Sequence, residues 1–226
     1  MTVEATGTLP TKPRVLVAAL DWGLGHASRC VPVIRELIEQ GVEVVLAGEG
    51  MQQALLQIEF PGLEFVPLQG YRIRYPRNGR WLPWSIASQL PRLRWAIASE
   101  YFWLSRHIRR LRIDAVISDN RFGLHNRRLP CIFITHQLAI RSGLRAAADR
   151  LATNINQRFI SRFSGCWVPD HAGPLSLAGE LSHPGRFPSI TLQYIGPLSR
   201  LHATAGGEVT GRLLILLSGP EPQRSI

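Results

Sequence analysis

Residues 14–20 (RVLVAAL) form a continuous apolar run, and a glycine-bearing turn and an amphipathic stretch follow at once. Such a run reads as a strand buried on both faces, as in a parallel sheet. Over residues 27–40, Val31, Ile34, Leu37 and Ile38 recur at helical spacing and Gly41 is the stop. Residues 42–47 then read as a second strand, 51–58 as a helix and 63–68 as a third strand. Strand and helix alternating with short connections predict a doubly wound, mostly parallel α/β sheet of about six or seven strands.

The alternation resumes later in the chain. Residues 113–118, 131–135, 166–168 and 190–195 read as strands, with a helix over about 144–163. Residues 1–13 read as a loose tail and 14–200 as the domain. Residues 201–211 (LHATAGGEVTG) are small, polar and rich in glycine, as in a linker. A further apolar strand opens at Arg212, so 212–226 is expected to be the first strand and loop of another domain. One strand cannot make a core, and that stretch is expected to be the least ordered part of the chain.

Composition excludes several classes. With 45% apolar and 19% charged residues, the chain is not disordered throughout. No uncharged apolar run approaches the roughly 18–20 residues of a membrane-spanning helix. The first residues carry an acid and no apolar core, unlike a secretory signal. Cys30, Cys131 and Cys166 are odd in number and far apart, which reads as buried thiols of a reducing, cytoplasmic setting. His107, His125, His171, His183 and His202 show no metal-ligand spacing, and no metal site is expected.

The net charge of +10 is concentrated. Between Tyr71 and Arg112 lie ten arginines and one acid, Glu100, with four of the six tryptophans. Pro91 is expected to open a helix at its first turn. Beyond it Leu93, Ile97, Tyr101, Leu104, Ile108 and Leu111 make one apolar face, and the arginines and Trp95 fall off it. Arg72, Arg74, Trp81, Trp84, Arg92, Arg94, Trp95 and Trp103 therefore mark a basic, aromatic patch. A solvated helix face and a peripheral membrane or lipid-acceptor contact both fit it. Nucleic acid has charge alone in its favour, with no recognised binding fold.

Three polar clusters sit at three strand ends. The string DWGLGHASR at 21–29 leaves the first strand, and Gly23 and Gly25 allow a tight turn before a helix N-terminus. A dinucleotide site would want a third glycine where Ser28 stands, although Glu49 lies where a ribose-binding acid would sit. A plain turn with a capping histidine also fits. The strings SDNRFG at 118–123 and THQ at 135–137 end two later strands, on the same edge of a parallel sheet. Asp119 could then reach His26, fix its tautomer and raise the basicity of its far nitrogen. A helix cap is the commoner use of such an aspartate.

The run at 14–50, with VISDNRFGL, CIFITHQL, CWVPDHAGPLSLAGELSHP and YIGPLSR, resembles the GT-B glycosyltransferases, nearest to bacterial family 28 and the peptidoglycan N-acetylglucosaminyltransferase. The resemblance covers residues 14–226 and implies a Rossmann-like acceptor domain. The nucleotide-sugar would be held by a second domain of which only the opening strand is present. It implies an inverting reaction in which His26 is the base and Asp119 orients it. The co-substrate would be a UDP-sugar and the partner a carbohydrate or lipid-linked acceptor. Gly23 and Gly25 would shape the turn, and Arg29, Asn120, Arg121, His136 and Gln137 would contact the acceptor. The chain alone would be inactive, and it could lie at the inner face of the membrane. A non-catalytic membrane-surface or nucleic-acid module is the alternative.

Overall fold

A computed structural model describes residues 12–72, 82–141 and 145–201, with the backbone alone at 82–87. The strands are β1 (Arg14–Ala19), β2 (Glu43–Gly48), β3 (Glu64–Pro67), β4 (Ala115–Asp119), β5 (Cys131–Ile134), β6 (Gly165–Val168) and β7 (Thr191–Tyr194). They form one sheet in the order β3-β2-β1-β4-β5-β6-β7, every neighbouring pair parallel. The helices are α1 (Leu24–Glu39), α2 (Gly50–Glu59), α3 (Leu82–Arg110) and α4 (Ala146–Ile160). The expected doubly wound Rossmann-like sheet is thus present, parallel throughout.

Alternate residues of β1 serve opposite cores. Val15, Val17 and Ala19 pack with Ala27, Cys30, Val31 and Ile34 of α1. Leu16 and Ala18 belong to the other core, with Leu104 of α3 and Ile160 of α4. A strand covered on both faces has no polar side to show, which is why its sequence reads as a continuous apolar run. Strand order reverses between β1 and β4, and the crevice at such a point is where open α/β sheets bind ligands.

Two local expectations change. Pro91 does not open α3: the helix begins at Leu82 and runs through it. Pro91 is exposed, so its ring and missing N–H fall on the solvent side, where a helix packed along its other face tolerates the lost bond. Tyr101 and Ile38, both assigned to apolar stripes, are 39% and 41% exposed. Glu100 takes the inward place beside Tyr101, at 2% exposure. The expected linker beyond Leu201, the strand expected from Arg212, and Arg74 and Trp81 of the patch lie outside the described residues.

Candidate active site at the switch between β1 and β4

Gly23 caps α1 with φ +67°, a left-handed conformation that favours glycine. Gln52 Nε2 donates to its carbonyl at 3.1 Å and pins the turn. Gly25 lies inside the first turn of α1, with ordinary φ and open space around it. His26, in that same turn, is thereby set above the β1–β4 boundary. In the sheet Asp119 is the register partner of Ala19, so the two strand ends meet.

His26 Nδ1 lies 2.9 Å from Asp119 Oδ1. Asp119 is wholly buried, and Arg29 grips both of its oxygens through Nε at 2.5 Å and through Nη2. Burial opposes ionisation of Asp119, but the charge and hydrogen bonds of Arg29, helped by His26, outweigh it and hold the carboxyl below its ordinary value. Arg29 Nη1 also reaches His136 Nδ1 at 3.1 Å. Burial first, and then the positive charge of Arg29, push the His136 imidazole below its usual range. The three strand-end clusters therefore converge on one buried carboxylate.

A cavity of about 330 Å³ opens beside His26. Leu20, Trp22, Tyr71, Leu93, Ile97, Phe122, Ile140, Ala152, Ile155 and Phe159 line it. Asn120, Gln137 and Asn156 supply its polar points. Asn120 adopts φ +55°, in the left-handed region that asparagine tolerates better than most residues. The arrangement places a histidine, oriented by a carboxylate, at the wall of a mostly apolar pocket of ligand size.

Several sequence-nominated residues do other work. Arg121 does not contact the crevice: it is 1% exposed and its Nε donates to Glu100 Oε1 at 2.7 Å. Its remaining N–H groups reach the carbonyls of Ala19, at 3.3 Å, and Gln69. Glu49, placed as a ribose-binding acid, is bound by Arg72 at 2.7 and 2.9 Å and by the Gly70 N–H. Arg29 spends its donors on Asp119 and His136, and its Nη2 lies 2.9 Å from His26 Nδ1. Of the patch, Arg72 is paired with Glu49, Trp103 stacks on His107 at 4.2 Å, and Arg92, Arg94 and Trp95 are exposed. Trp84 lies in α3, where the backbone alone is described. The three cysteines are buried and unpaired. Burial pushes Cys166 up to about 12 and Cys131 up to about 11. Among the described residues no cluster could hold a metal ion, and no helix is long and apolar enough to cross a membrane.

No family model and no curated protein matches this chain. Solved structures do. A glycotransferase of kitacinnamycin matches 87% of the chain at 16% identity, with a TM-score of 0.56. UGT89C1 of Arabidopsis thaliana, complexed with quercetin, matches 87% at 15% identity and a TM-score of 0.55. The chain has a GT-B glycosyltransferase-like fold. UGT2 of Phytolacca americana, complexed with UDP-2fluoro-glucose and pterostilbene, matches 83% at 12% identity and a TM-score of 0.56. The chain spans 53–55% of the length of these three structures.

The cavity walls were the least visible part of the site in the sequence. Tyr71, Ile97, Phe122, Ile155 and Phe159 come from segments far apart in the chain and look like ordinary core residues.

Proposed function

We propose that this chain is the acceptor-binding half of an inverting glycosyltransferase that uses a nucleotide-sugar, UDP-linked by analogy with UGT2 of Phytolacca americana. The observation that carries the reading is the His26–Asp119 pair, 2.9 Å apart, at the wall of the apolar cavity. Asp119 takes the Nδ1 proton side of the ring, and Nε2 removes the proton from an acceptor hydroxyl held in the cavity. The acceptor oxygen attacks the anomeric carbon and the nucleoside diphosphate leaves. Stabilisation of that diphosphate belongs to a second domain, so residues 1–226 alone are inactive.

The apolar cavity supports an acceptor with an apolar or aromatic body carrying one hydroxyl, with Asn120, Gln137 and Asn156 to orient it. Pterostilbene, present in one of the matching structures, is a phenol of this kind. A lipid-linked acceptor meets the same requirement. Calorimetry of the chain with pterostilbene and, separately, with UDP tests the assignment. Pterostilbene should bind and UDP should show no micromolar affinity. Micromolar UDP binding would put the donor site in this half and overturn the reading.

A second contact is favoured by α3. Trp95 and Phe102, seven residues apart and so on one face, are 63% and 62% exposed. Arg92, Arg94, Arg106, Arg109 and Arg110 are exposed around them, and Glu100, the only acid of the helix, is turned inward. This face fits an anionic membrane surface, which would place the protein peripherally, at the cytoplasmic side.

A further inference from the structure

Arg29 stands one turn beyond His26 on α1, with a side chain 12% exposed. Its guanidinium has five N–H groups in a rigid fork and no acceptor. Nε and Nη2 hold Asp119, while Nη1 faces His136 Nδ1 at 3.1 Å. A ring nitrogen that faces an obligate donor, with no carboxylate oxygen beside it to take a proton, offers its lone pair, so the His136 proton sits on Nε2. His26 Nδ1 has two neighbours at 2.9 Å, Asp119 Oδ1 and Arg29 Nη2. Of the two, Oδ1 is the charged partner and an obligate acceptor, so its bond to a ring N–H is the stronger, charge-assisted one. The Nδ1 proton of His26 then completes the carboxylate, and its lone pair is on Nε2.

We propose that Arg29 is a positioning residue that, with Asp119, holds two histidines in opposite tautomers: His26 with a bare Nε2 at the apolar cavity, and His136 with an Nε2–H donor. His136 lines a neighbouring hollow of about 360 Å³ together with Pro169, Asp170, Leu177, Ala178 and Leu181. One guanidinium–carboxylate pair thus makes an acceptor on one side and, on the other, a donor suited to an oxygen of the substrate. The use of the His26 lone pair rests on the reading above, whereas the tautomers can be measured without it.

The charged and titratable surroundings agree. His136 faces Arg29 and His26 from α1, Asp119 from the end of β4 and Asp170 beyond β6. Burial and Arg29 keep it neutral at pH 7, and a neutral ring whose Nδ1 is occupied can donate only through Nε2. Asp170 is engaged by Ser176, Ser182 and three backbone N–H groups, so it is not a competing partner for His136. Around His26 stand Asp119, Arg29 and His136, with Cys30 bonded to Asp119 at 3.6 Å. Tyr71 lines the same cavity, but its hydroxyl donates to Glu100 at 2.7 Å.

The test is long-range proton–nitrogen NMR of the 226-residue chain with ¹⁵N-labelled histidine, the rings assigned through His26→Gln and His136→Gln. The parent should show His136 protonated on Nε2 and His26 protonated on Nδ1. Arg29→Gln removes the neighbouring charge and should raise the His136 titration midpoint by about one unit or more. Arg29→Lys keeps the charge but loses the fork, so the midpoint should hold while the His136 tautomers mix. His136 protonated on Nδ1 in the parent, both rings in one tautomer, or an Arg29→Gln spectrum and midpoint equal to the parent's would overturn the proposal. If Arg29→Gln does not fold, the parent spectrum and Arg29→Lys decide. Failure of the base assignment reads differently: opposite tautomers as stated, but sugar transfer indifferent to loss of His26.

Discussion

Replacing Arg121 by Met separates a structural arginine from a ligand-binding one. Arg121 and Glu100 are 1% and 2% exposed and are joined at 2.7 Å. Glu100 also accepts from Tyr71 Oη at 2.7 Å and from the Gly123 N–H at 2.9 Å, so α3 is tied to the loops after β3 and β4. Met fills similar space but leaves the carboxylate buried without a counter-ion. Breaking a buried pair in this way costs about 3–5 kcal/mol, out of the roughly 5–15 kcal/mol that holds a domain together. With a urea dependence of about 2 kcal/mol per molar, the midpoint should fall by roughly 2 M at pH 7. Burial already raises the Glu100 carboxyl, and Arg121 is the main influence lowering it. Without Arg121 it rises further. A raised carboxyl contributes stability that is full below the ordinary carboxylate range and is lost as pH rises through the raised value. The deficit of Arg121→Met should therefore shrink as pH is lowered from 7 towards 5. Urea unfolding followed by tryptophan fluorescence across that range measures both effects. A midpoint loss under about 0.5 M at pH 7, or a deficit that does not vary with pH, would refute the assignment of Arg121 as a buried strut.

The other expectations concern the site and the surface. Ile155→Glu places a charge on the cavity wall at a position 47% exposed. It should weaken pterostilbene binding at least about tenfold by calorimetry, while stability stays within roughly 1 kcal/mol. Asp119, whose carboxyl is held low chiefly by Arg29 against its burial, contributes stability that is present above the ordinary carboxylate range. That contribution is lost as pH falls through the lowered value. Asp119→Asn should thus be less stable than the parent at pH 7, with the gap closing in urea melts towards pH 3. Co-sedimentation with anionic vesicles should weaken steeply as salt rises through about 0.1–0.15 M and should drop in Trp95→Ala/Phe102→Ala. Equal binding to neutral and anionic vesicles would remove electrostatics from the account of α3.

Much of the architecture could be read from β1, α1 and β2, because strands covered on both faces must be apolar throughout and glycine must mark the turns. The convergence of His26, Asp119 and His136 was legible for the same reason, since parallel strands bring their carboxyl ends to one edge. Arg29 was legible only as a polar residue one turn past His26. That its fork closes on a carboxylate ninety residues away depends on side-chain geometry. Arg121 misled because an arginine beside an aspartate at a strand end looks functional, and Glu100 was legible only as the one acid among arginines. Their burial follows from α3 packing across the sheet, which no local pattern encodes. Glu49 sits where a ribose-binding acid would, but the loop after β3 folds back and brings Arg72 to it. Pro91 signalled a helix start by its local preference, and the packing of α3 overrode it.

The central claim is that His26 removes the acceptor proton. Its most direct test is sugar transfer from a UDP-sugar to a phenolic acceptor by this chain fused to the nucleotide-sugar-binding half of a matching glycosyltransferase, with and without His26→Ala. The account predicts a fall in kcat of about 10²–10⁴-fold, as for loss of a general base. The acceptor Kd on the same fusion should stay within about threefold of the parent's, since the cavity walls are untouched. Parental turnover in the His26→Ala fusion would contradict it.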